Sequence, residues 1–251
     1  MIQMIANYHG HTVHCKHGIG TTREHIEAAI KFGLEEVAIT EHVPIKGRTL
    51  SRIDYPDFEA FITELNELKV EYQDQIKVLT GLECEYIPEV FSDHLELKEK
   101  YNIDFLVLGH HFSKLSQPGF YYFETRNKEM VDEYIENTIA AIKSGHFKIF
   151  AHPDIFLNKL PYDDYMESKA KELFAVCQEY DVVVEINANG IRNNKGYPCR
   201  EFWQLSKQYN LTTVINSDSH SPAEIYDDGL VATYEFAKEL SIKITERLDF
   251  N

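Results

Sequence analysis

Two histidines separated by one residue, His9 and His11, close the first apolar run of the chain. Residues 2–8 are predicted to form a short buried strand. Side chains two positions apart on an extended chain point to the same side, so the two imidazoles are expected to converge on one point. Converging imidazoles at a strand end are typical of metal ligands, although two unrelated histidines in a polar loop have the same pattern.

Further residues of metal-ligand type follow the other predicted strands. They are Glu41 and His42 after the second strand, Glu83 at the end of the third, His110 and His111 after the fourth, His152 after the fifth, and Asp218 and His220 after the seventh. The carboxyl ends of parallel strands meet at one face of a sheet or barrel, which is where such folds carry out chemistry. We therefore expect these side chains to gather at one rim.

The remaining histidines and acids are expected at different distances from this rim. His17, in the first loop, is an open candidate ligand, and only one of the adjacent His110 and His111 is expected to reach the rim. Glu41 is either a ligand or a group behind the ligands. Glu85 is expected to lie outside the site. His25, His94 and His146 lie on or beside helices and are predicted to be solvated surface groups.

Strand and helix patterns alternate along the whole chain. Strands are predicted at 2–8, 36–39, 76–83, 105–108, 147–150, 182–186 and 212–215, and helices begin near Thr21, Phe58 and Asn127 and cover 92–101, 164–179, 199–209 and most of 222–240. A last extended piece, 242–244, is expected at an edge. Seven strand–helix units without a linker predict one α/β domain over 1–251, most simply a parallel barrel, with an open doubly wound sheet as the alternative.

Composition narrows the class of protein. The chain has 251 residues, 43% of them hydrophobic, and a formal net charge of −16. This charge argues against a non-specific nucleic-acid surface or an anionic membrane surface, but bound divalent ions would still allow an anionic substrate. The scattered cysteines Cys15, Cys84, Cys177 and Cys199 are expected to be free thiols, and no leader or membrane segment is evident, so we expect a cytoplasmic protein.

About nine or ten ligand candidates are too many for one ion. Two to three divalent transition metal ions, bridged by a carboxylate, fit the number better, and mixed imidazole and carboxylate ligands favour Zn, Mn or Fe. Clustered ions of this type generate hydroxide at neutral pH and hold phosphoryl oxygens. Hydrolysis of a phosphate ester is the leading prediction, with amide or lactone hydrolysis behind it.

The same residues resemble the polymerase-and-histidinol-phosphatase (PHP) family, in family order over residues 9 to 220. The matching motifs are His9-Gly-His11-Thr12, Thr40-Glu41-His42, Gly81-Leu82-Glu83-Cys84-Glu85, the His111 that follows Asp104-Phe105-Leu106, Ala151-His152-Pro153-Asp154, and Ser217-Asp218-Ser219-His220. The segment from Glu185 to Arg192, with Tyr197-Pro198, and the spacing of His14 and His17-Gly18 resemble the histidinol-phosphatase branch.

The resemblance implies a distorted (β/α)7 TIM-like barrel with a trinuclear metal centre. It implies one ion held by His9, His11, Glu83 and Asp218, a second held by Glu83, His111 and His152, and a third held by His17, His42 and His220. Arg192 would clamp the substrate phosphate, with His17 beside it and Lys159 as a second cation. Lys159 departs from the arginine expected at that position.

The activity that the resemblance implies is hydrolysis of L-histidinol phosphate, in histidine biosynthesis, by a metal-bridging hydroxide. The leaving alkoxide would take its proton from Asp218, His220 or water. The rim loops 113–126 and 188–200 are predicted to border the substrate, and Glu124 or Asp154 is a candidate partner for its amine. Alternatives are a PHP enzyme acting on a nucleotide or another small phosphate ester, and an amidohydrolase, which usually carries a bridging lysine where this chain has His110 and His111.

Overall fold

Seven parallel strands form one sheet in the computed structural model, which describes residues 4–49, 51–112, 114–115 and 121–250. The strands hydrogen-bond in chain order from β1 to β7. Their bounds are β1 Ala6–Asn7, β2 Glu36–Ile39, β3 Lys77–Cys84, β4 Phe105–Leu108, β5 Ile149–Phe150, β6 Val183–Asn187 and β7 Thr213–Asn216. Because sequential parallel strands need a crossover, each connection carries helical structure on the outside of the sheet.

The helices of the described part cover the outer face of the sheet. They are α1 Thr22–Lys31, α2 Phe58–Tyr72, α3 Pro88–Lys100, α4 Lys128–Lys143, α5 Asp164–Glu179, α6 Ala188–Arg192, α7 Arg200–Ser206 and α8 Asp228–Glu239. The predicted capping box is present, since Thr21 and Glu24 bond each other's backbone at the start of α1. None of the described helices has the length and apolar character needed to cross a membrane.

The first and last strands close the sheet into a barrel without a regular ladder. The side-chain oxygen of Asn216 accepts a bond from the Tyr8 backbone N–H, and that of Asn7 accepts one from the Ser217 N–H. Gly10 and Ser219 then form a parallel bridge. Asparagine amides thus replace missing ladder bonds, and the predicted distorted (β/α)7 barrel is confirmed.

Two apolar layers hold the barrel together. Inside it, Tyr8, Phe105 and Leu248 pack with short side chains such as Ala38 and Val107, while a larger cluster fills the space between strands and helices. Leu248 comes from the C-terminal segment, and its backbone N–H donates to the Tyr8 hydroxyl. The extended piece expected at 242–244 is not a strand, although Thr245 next to it donates one backbone bond to Thr213 in β7.

One further strand prediction and one prediction about exposure were wrong. The strand expected over 2–8 covers only Ala6–Asn7, and residues 2 and 3 lie outside the described part. His25 and His94, expected at the surface, are buried at 1% and 0% exposure. Each lies on the apolar face of its helix, His25 next to Ile26 and His94 between Phe91 and Leu97.

Candidate metal centre

The ligand-type residues predicted at the strand ends do converge at the carboxyl-terminal mouth of the barrel. Glu83 lies at the centre, near the end of β3. Its two carboxylate oxygens lie within 3.5 Å of five imidazole nitrogens: His42 Nδ1 at 3.0 Å, His152 Nε2 at 3.1 Å, His11 Nε2 at 3.2 Å, His9 Nε2 at 3.4 Å and His111 Nε2 at 3.5 Å. Position 109, beside this carboxylate, has room for glycine alone, since a Cβ at Gly109 would lie 2.4 Å from Glu83 Oε1.

Asp218 supplies the second carboxylate of the cluster. Its Oδ1 lies 3.4 Å from His11 Nε2 and 3.7 Å from His9 Nε2. Its Oδ2 accepts hydrogen bonds from the side-chain amides of Asn187 and Asn189, both at 3.0 Å. One oxygen is therefore held by the protein and the other is presented to the histidines.

Glu185 is a buried carboxylate behind the cluster that the sequence analysis did not count. Its Oε2 lies 2.9 Å from His9 Nδ1 and accepts from Asn216 Nδ2 at 2.8 Å. Its Oε1 accepts from Asn187 Nδ2 at 2.7 Å and from the His152 backbone N–H at 3.3 Å. A carboxylate on the far nitrogen of a ligand histidine fixes its tautomer and its orientation.

Of two more glutamates behind the cluster, Glu85 orients a ligand histidine in the same way and Glu41 does not. Glu85 accepts the His111 backbone N–H at 2.6 Å and lies 2.9 Å from the His111 ring Nδ1. Glu41 accepts both the N–H and the hydroxyl of Thr12 at 2.6 Å, and its other oxygen lies 4.0 Å from His11 Nδ1. The expectation that Glu85 lies outside the site was wrong, and Glu41 lies behind the ligands.

The electrostatics keep the two central carboxylates ionised. Burial acts to raise the pKa of Glu83, but the neighbouring imidazoles of His111 and His42 outweigh burial and hold this pKa well below its usual range. The pKa of Asp218 is likewise held well below its usual range, because His9 and His11 outweigh burial. Deprotonated carboxylates are the form that metal ions bind.

The tautomers of two histidines, His17 and His220, also indicate that the cluster binds metal ions. His17 Nδ1 and His220 Nδ1 each face a backbone carbonyl, at 2.8 and 3.1 Å, so Nδ1 carries the proton in both rings. Their Nε2 atoms then hold lone pairs and lie 3.0 Å apart. Facing lone pairs at this distance are stabilised by a cation between them.

The ligand atoms form overlapping groups, and the three sets that the family resemblance implied stay a prediction. Groups within 4.8 Å of one another are His9 with His11 and Asp218, His42 with Glu83 and His111, His11 with His42 and His220, and Cys15 with His17 and His220. His42 thus belongs to two groups, one with Glu83 and one with His220. The Cys15 thiol donates to the Thr12 carbonyl, and burial raises its pKa to about 12.

Three residues at the strand ends have left-handed backbone angles. The φ angles are 26° at His110, 33° at His152 and 44° at Asp218. Residues other than glycine are strained in this region and are held there by their surroundings, which is common at functional sites. His110 turns away from the cluster, because its ring stacks on Tyr122 at 4.9 Å between centroids. As predicted, only one of His110 and His111 reaches the rim.

A cavity of about 1000 Å³ opens above the cluster. Its walls come from four loops, which contribute Arg48 and Arg52, Tyr121 and Phe123, Asn158 and Lys159, and Asn193, Lys195 and Tyr197. The described parts of the two rim loops predicted to border a substrate are therefore in place. Residues 113 and 116–120 of the first loop lie outside the described part. Lys159, a predicted phosphate contact, is exposed in this cavity.

Arg192, the predicted phosphate clamp, does not line the cavity. Its guanidinium binds both carboxylate oxygens of Asp227, at 2.5 and 3.1 Å, and the backbone carbonyls of Ser217 and Glu224. These bonds occupy most of its donors, and its side chain is 10% exposed. The prediction that Arg192 clamps the phosphate therefore needs correction: Arg192 supports the segment that carries Asp218.

The two acids considered for a substrate amine are also placed elsewhere. Asp154 Oδ2 accepts the Cys199 N–H at 2.6 Å and the Trp203 indole N–H at 3.1 Å, and burial raises the pKa of Asp154 to about 6. Glu124 is exposed, lies 4.0 Å from Arg126 and does not line the cavity. Neither faces the cluster.

The chain is similar to known histidinol-phosphatases in sequence and fold. A histidinol-phosphatase of Bacillus subtilis (strain 168) is 27% identical over 257 residues, covering 86% of this chain and 94% of the relative. A probable histidinol-phosphatase of Schizosaccharomyces pombe is 25% identical over 245 residues, covering 84% and 78%. The crystal structure of histidinol phosphate phosphatase from Lactococcus lactis subsp. lactis, complexed with Zn, L-histidinol and phosphate, superposes with a TM-score of 0.72 at 20% identity, covering 96% and 95%.

The family assignment rests on a sequence profile as well as on these relatives. The profile of the PHP domain matches residues 7–189, which run from the end of β1 into α6 and include the histidine pair, Glu83, His111 and His152. The chain belongs to the PHP domain family.

Proposed function

We propose that this protein is a metal-dependent phosphomonoesterase that hydrolyses L-histidinol phosphate to L-histidinol and phosphate. The observation that carries the proposal is the packing of five imidazole nitrogens within 3.5 Å of the Glu83 carboxylate, at the floor of a cavity of about 1000 Å³. The histidinol-phosphatases among its relatives supply the substrate. The free cysteines fit a cytoplasmic location.

The residues that would hold two to three Zn, Mn or Fe ions are the nine of the cluster. They are His9, His11, His17, His42, Glu83, His111, His152, Asp218 and His220. Such ions, when bound, lower the pKa of water and neutralise the charge of the phosphoryl oxygens. Glu83 would be the carboxylate shared between ions, and the distances from its two oxygens to His42 and His152 support this role.

The chain's own groups position the reactants. Asp218 is arranged as an acceptor, since two amides fill its Oδ2 and its Oδ1 faces histidines. We therefore assign the proton that the leaving alkoxide needs to water rather than to Asp218 or His220, because burial lowers the pKa of His220 to about 3 and its Nε2 is among the atoms that would hold the ions. Lys159 is the cation that we assign to the reacting phosphate in place of Arg192, and His17 lies across the same cavity.

The test is phosphate release from L-histidinol phosphate by metal-loaded protein, compared with nucleoside monophosphates and p-nitrophenyl phosphate. We expect turnover of histidinol phosphate with the highest kcat/KM, its loss on chelation, and its return when metal is restored. Glu83→Gln is expected to lower kcat/KM at least about 100-fold, whereas Glu67→Gln on the exposed face of α2 serves as the matched control. Higher kcat/KM for a nucleotide would replace histidinol phosphate as the substrate. No release from any ester would refute the phosphatase proposal.

A further inference from the structure

Cationic side chains line the cavity around the metal-type cluster, although the chain as a whole carries a charge of −16. Besides Lys159 they are Arg48 and Arg52, in the loop after β2, and Lys195, in the loop after α6. Those two loops form separate walls of the cavity. The positive groups therefore border the space where the organic part of a phosphate ester would lie.

Arg48 and Lys195 form no ion pair with a carboxylate among the described residues, whereas burial lowers the pKa of Arg52 and the charge of Glu85 partly offsets that effect. Lysines nearby behave differently: Lys46, two positions before Arg48, lies 3.0 Å from Asp93, and Lys16 pairs with Asp54. No carboxylate lies within 4.0 Å of Arg48 or Lys195 in the part of the chain that the structure describes. Other described lysines, such as Lys207, also lack a carboxylate within 4.0 Å, so what distinguishes Arg48 and Lys195 is their position in the walls of this cavity.

Arg52 is the most constrained of the set. It is 4% exposed, donates through Nη1 to the Val43 carbonyl at 2.9 Å, and lies over the Phe112 ring at 5.4 Å. Its buried Nε has no hydrogen-bond partner among the described residues. A buried guanidinium that still has an unused donor is costly unless an anion completes its bonds.

The carboxylates that also line the cavity are already engaged. Glu83 and Asp218 face the histidines, and Glu85 is bonded to His111. Glu224 accepts the His220 backbone N–H at 2.7 Å. The cavity lining therefore offers an incoming molecule positive charge and no free carboxylate among the described residues. Its volume is at the upper end of the range of about 300–1,000 Å³ usual for small-molecule sites.

We propose that Arg48, Arg52 and Lys195 bind a second anionic group of the substrate, so that the cavity takes phosphomonoesters that also carry a carboxylate or a second phosphate. This inference rests on the proposed phosphomonoesterase function and extends its substrate class beyond histidinol phosphate. The second group provides affinity and orientation through charge-assisted hydrogen bonds, while the reacting phosphate lies at the histidine cluster.

The test measures binding of non-hydrolysable phosphonates to the metal-loaded protein by calorimetry. Propylphosphonate has one anionic group, 3-phosphonopropionate adds a carboxylate, propane-1,3-bisphosphonate adds a second phosphonate, and 3-aminopropylphosphonate adds a cation. We expect 3-phosphonopropionate or propane-1,3-bisphosphonate, which carry two anionic groups, to bind at least about tenfold more tightly than propylphosphonate. This is the effect of roughly one well-placed charge interaction. The tighter of the two identifies the second group as carboxylate or phosphate.

Variants separate the cations from direct binding of the second anion to metal. In Arg48→Gln/Lys195→Gln the preference is expected to fall to within about threefold, and in Lys207→Gln, an exposed lysine away from the cavity, it is expected to persist. Three results would overturn the inference. The first is equal affinity of the unmodified protein for propylphosphonate and for the probes with two anionic groups, and the second is an affinity ratio that persists in the double variant. The third is tightest binding of 3-aminopropylphosphonate. Bound phosphonates without phosphate release from any ester would instead refute the phosphomonoesterase function.

Discussion

Replacing Glu185 by glutamine should loosen the metal centre from behind without touching a ligand. Both carboxylate oxygens of Glu185 accept two bonds each, from His9 Nδ1, His152 N, Asn187 Nδ2 and Asn216 Nδ2, at 2.7–3.3 Å. In either orientation the amide NH2 of glutamine would face two donors and lose both bonds.

The magnitude follows from those bonds. A buried donor left unsatisfied costs about 1–3 kcal/mol, so two such groups cost about 2–6 kcal/mol of unfolding free energy. Loss of the carboxylate that fixes His9 is expected to weaken metal affinity about 10–100-fold. Metal affinity is measured by competition with a chromophoric chelator, and stability by urea denaturation of the metal-free protein.

Asp154→Asn is the matched control. Asp154 is as buried as Glu185 and accepts from Cys199 N and Trp203 Nε1, but the bonds that it accepts come from neither of the histidines next to Glu185. We expect this variant to lose stability with metal affinity changed less than about threefold. If Glu185→Gln kept the metal affinity of the unmodified protein, or if Asp154→Asn lost as much affinity, the orienting role of Glu185 would be refuted.

Three further predictions follow from single residues. Gly109→Ala places a Cβ 2.4 Å from Glu83 Oε1 and should lower metal affinity at least about tenfold with the far-ultraviolet circular dichroism unchanged; unchanged affinity contradicts the tight fit. Arg192→Gln should lower kcat while inhibition by inorganic phosphate stays within about threefold, whereas Lys159→Gln should weaken that inhibition; the reverse pattern restores Arg192 as the clamp. Burial lowers the pKa of His94 to about 4, so the unfolded chain takes up this proton first as the pH falls, and stability is lost between about pH 6.5 and 4. From pH 7 to 5 the unmodified protein should lose roughly 2 kcal/mol more than His94→Gln; coincident pH profiles in urea denaturation contradict this.

Strand ends were the part of the site that sequence could predict. Parallel strands point the same way, so His9, Glu83 and His152 had to meet once the alternation of strands and helices was recognised. The strand and helix periodicities also predict the places of Glu85 and His94. Glu85 follows Glu83 by two positions, which on an extended chain is the same side, and the helical spacing of Phe91, His94 and Leu97 already marks a buried face.

Other features depend on contacts between distant segments. The guanidinium of Arg192 is directed by Asp227, 35 residues away, and no local pattern shows which way such a side chain turns. Glu185 gave one usable signal, a charged residue inside the apolar run of β6, but its partner His9 lies 176 positions earlier. A buried carboxylate inside an apolar strand is best interpreted as the partner of a buried histidine or ion, even before that partner is known.

The central claim is that the histidines and carboxylates around Glu83 hold a cluster of metal ions. It is tested most directly by elemental analysis of the purified protein after loading with a divalent transition metal and removal of the excess. Two to three ions per chain are expected, falling by at least one in Glu83→Gln. Fewer than two ions per chain in the unmodified protein would contradict the cluster and the chemistry proposed for it.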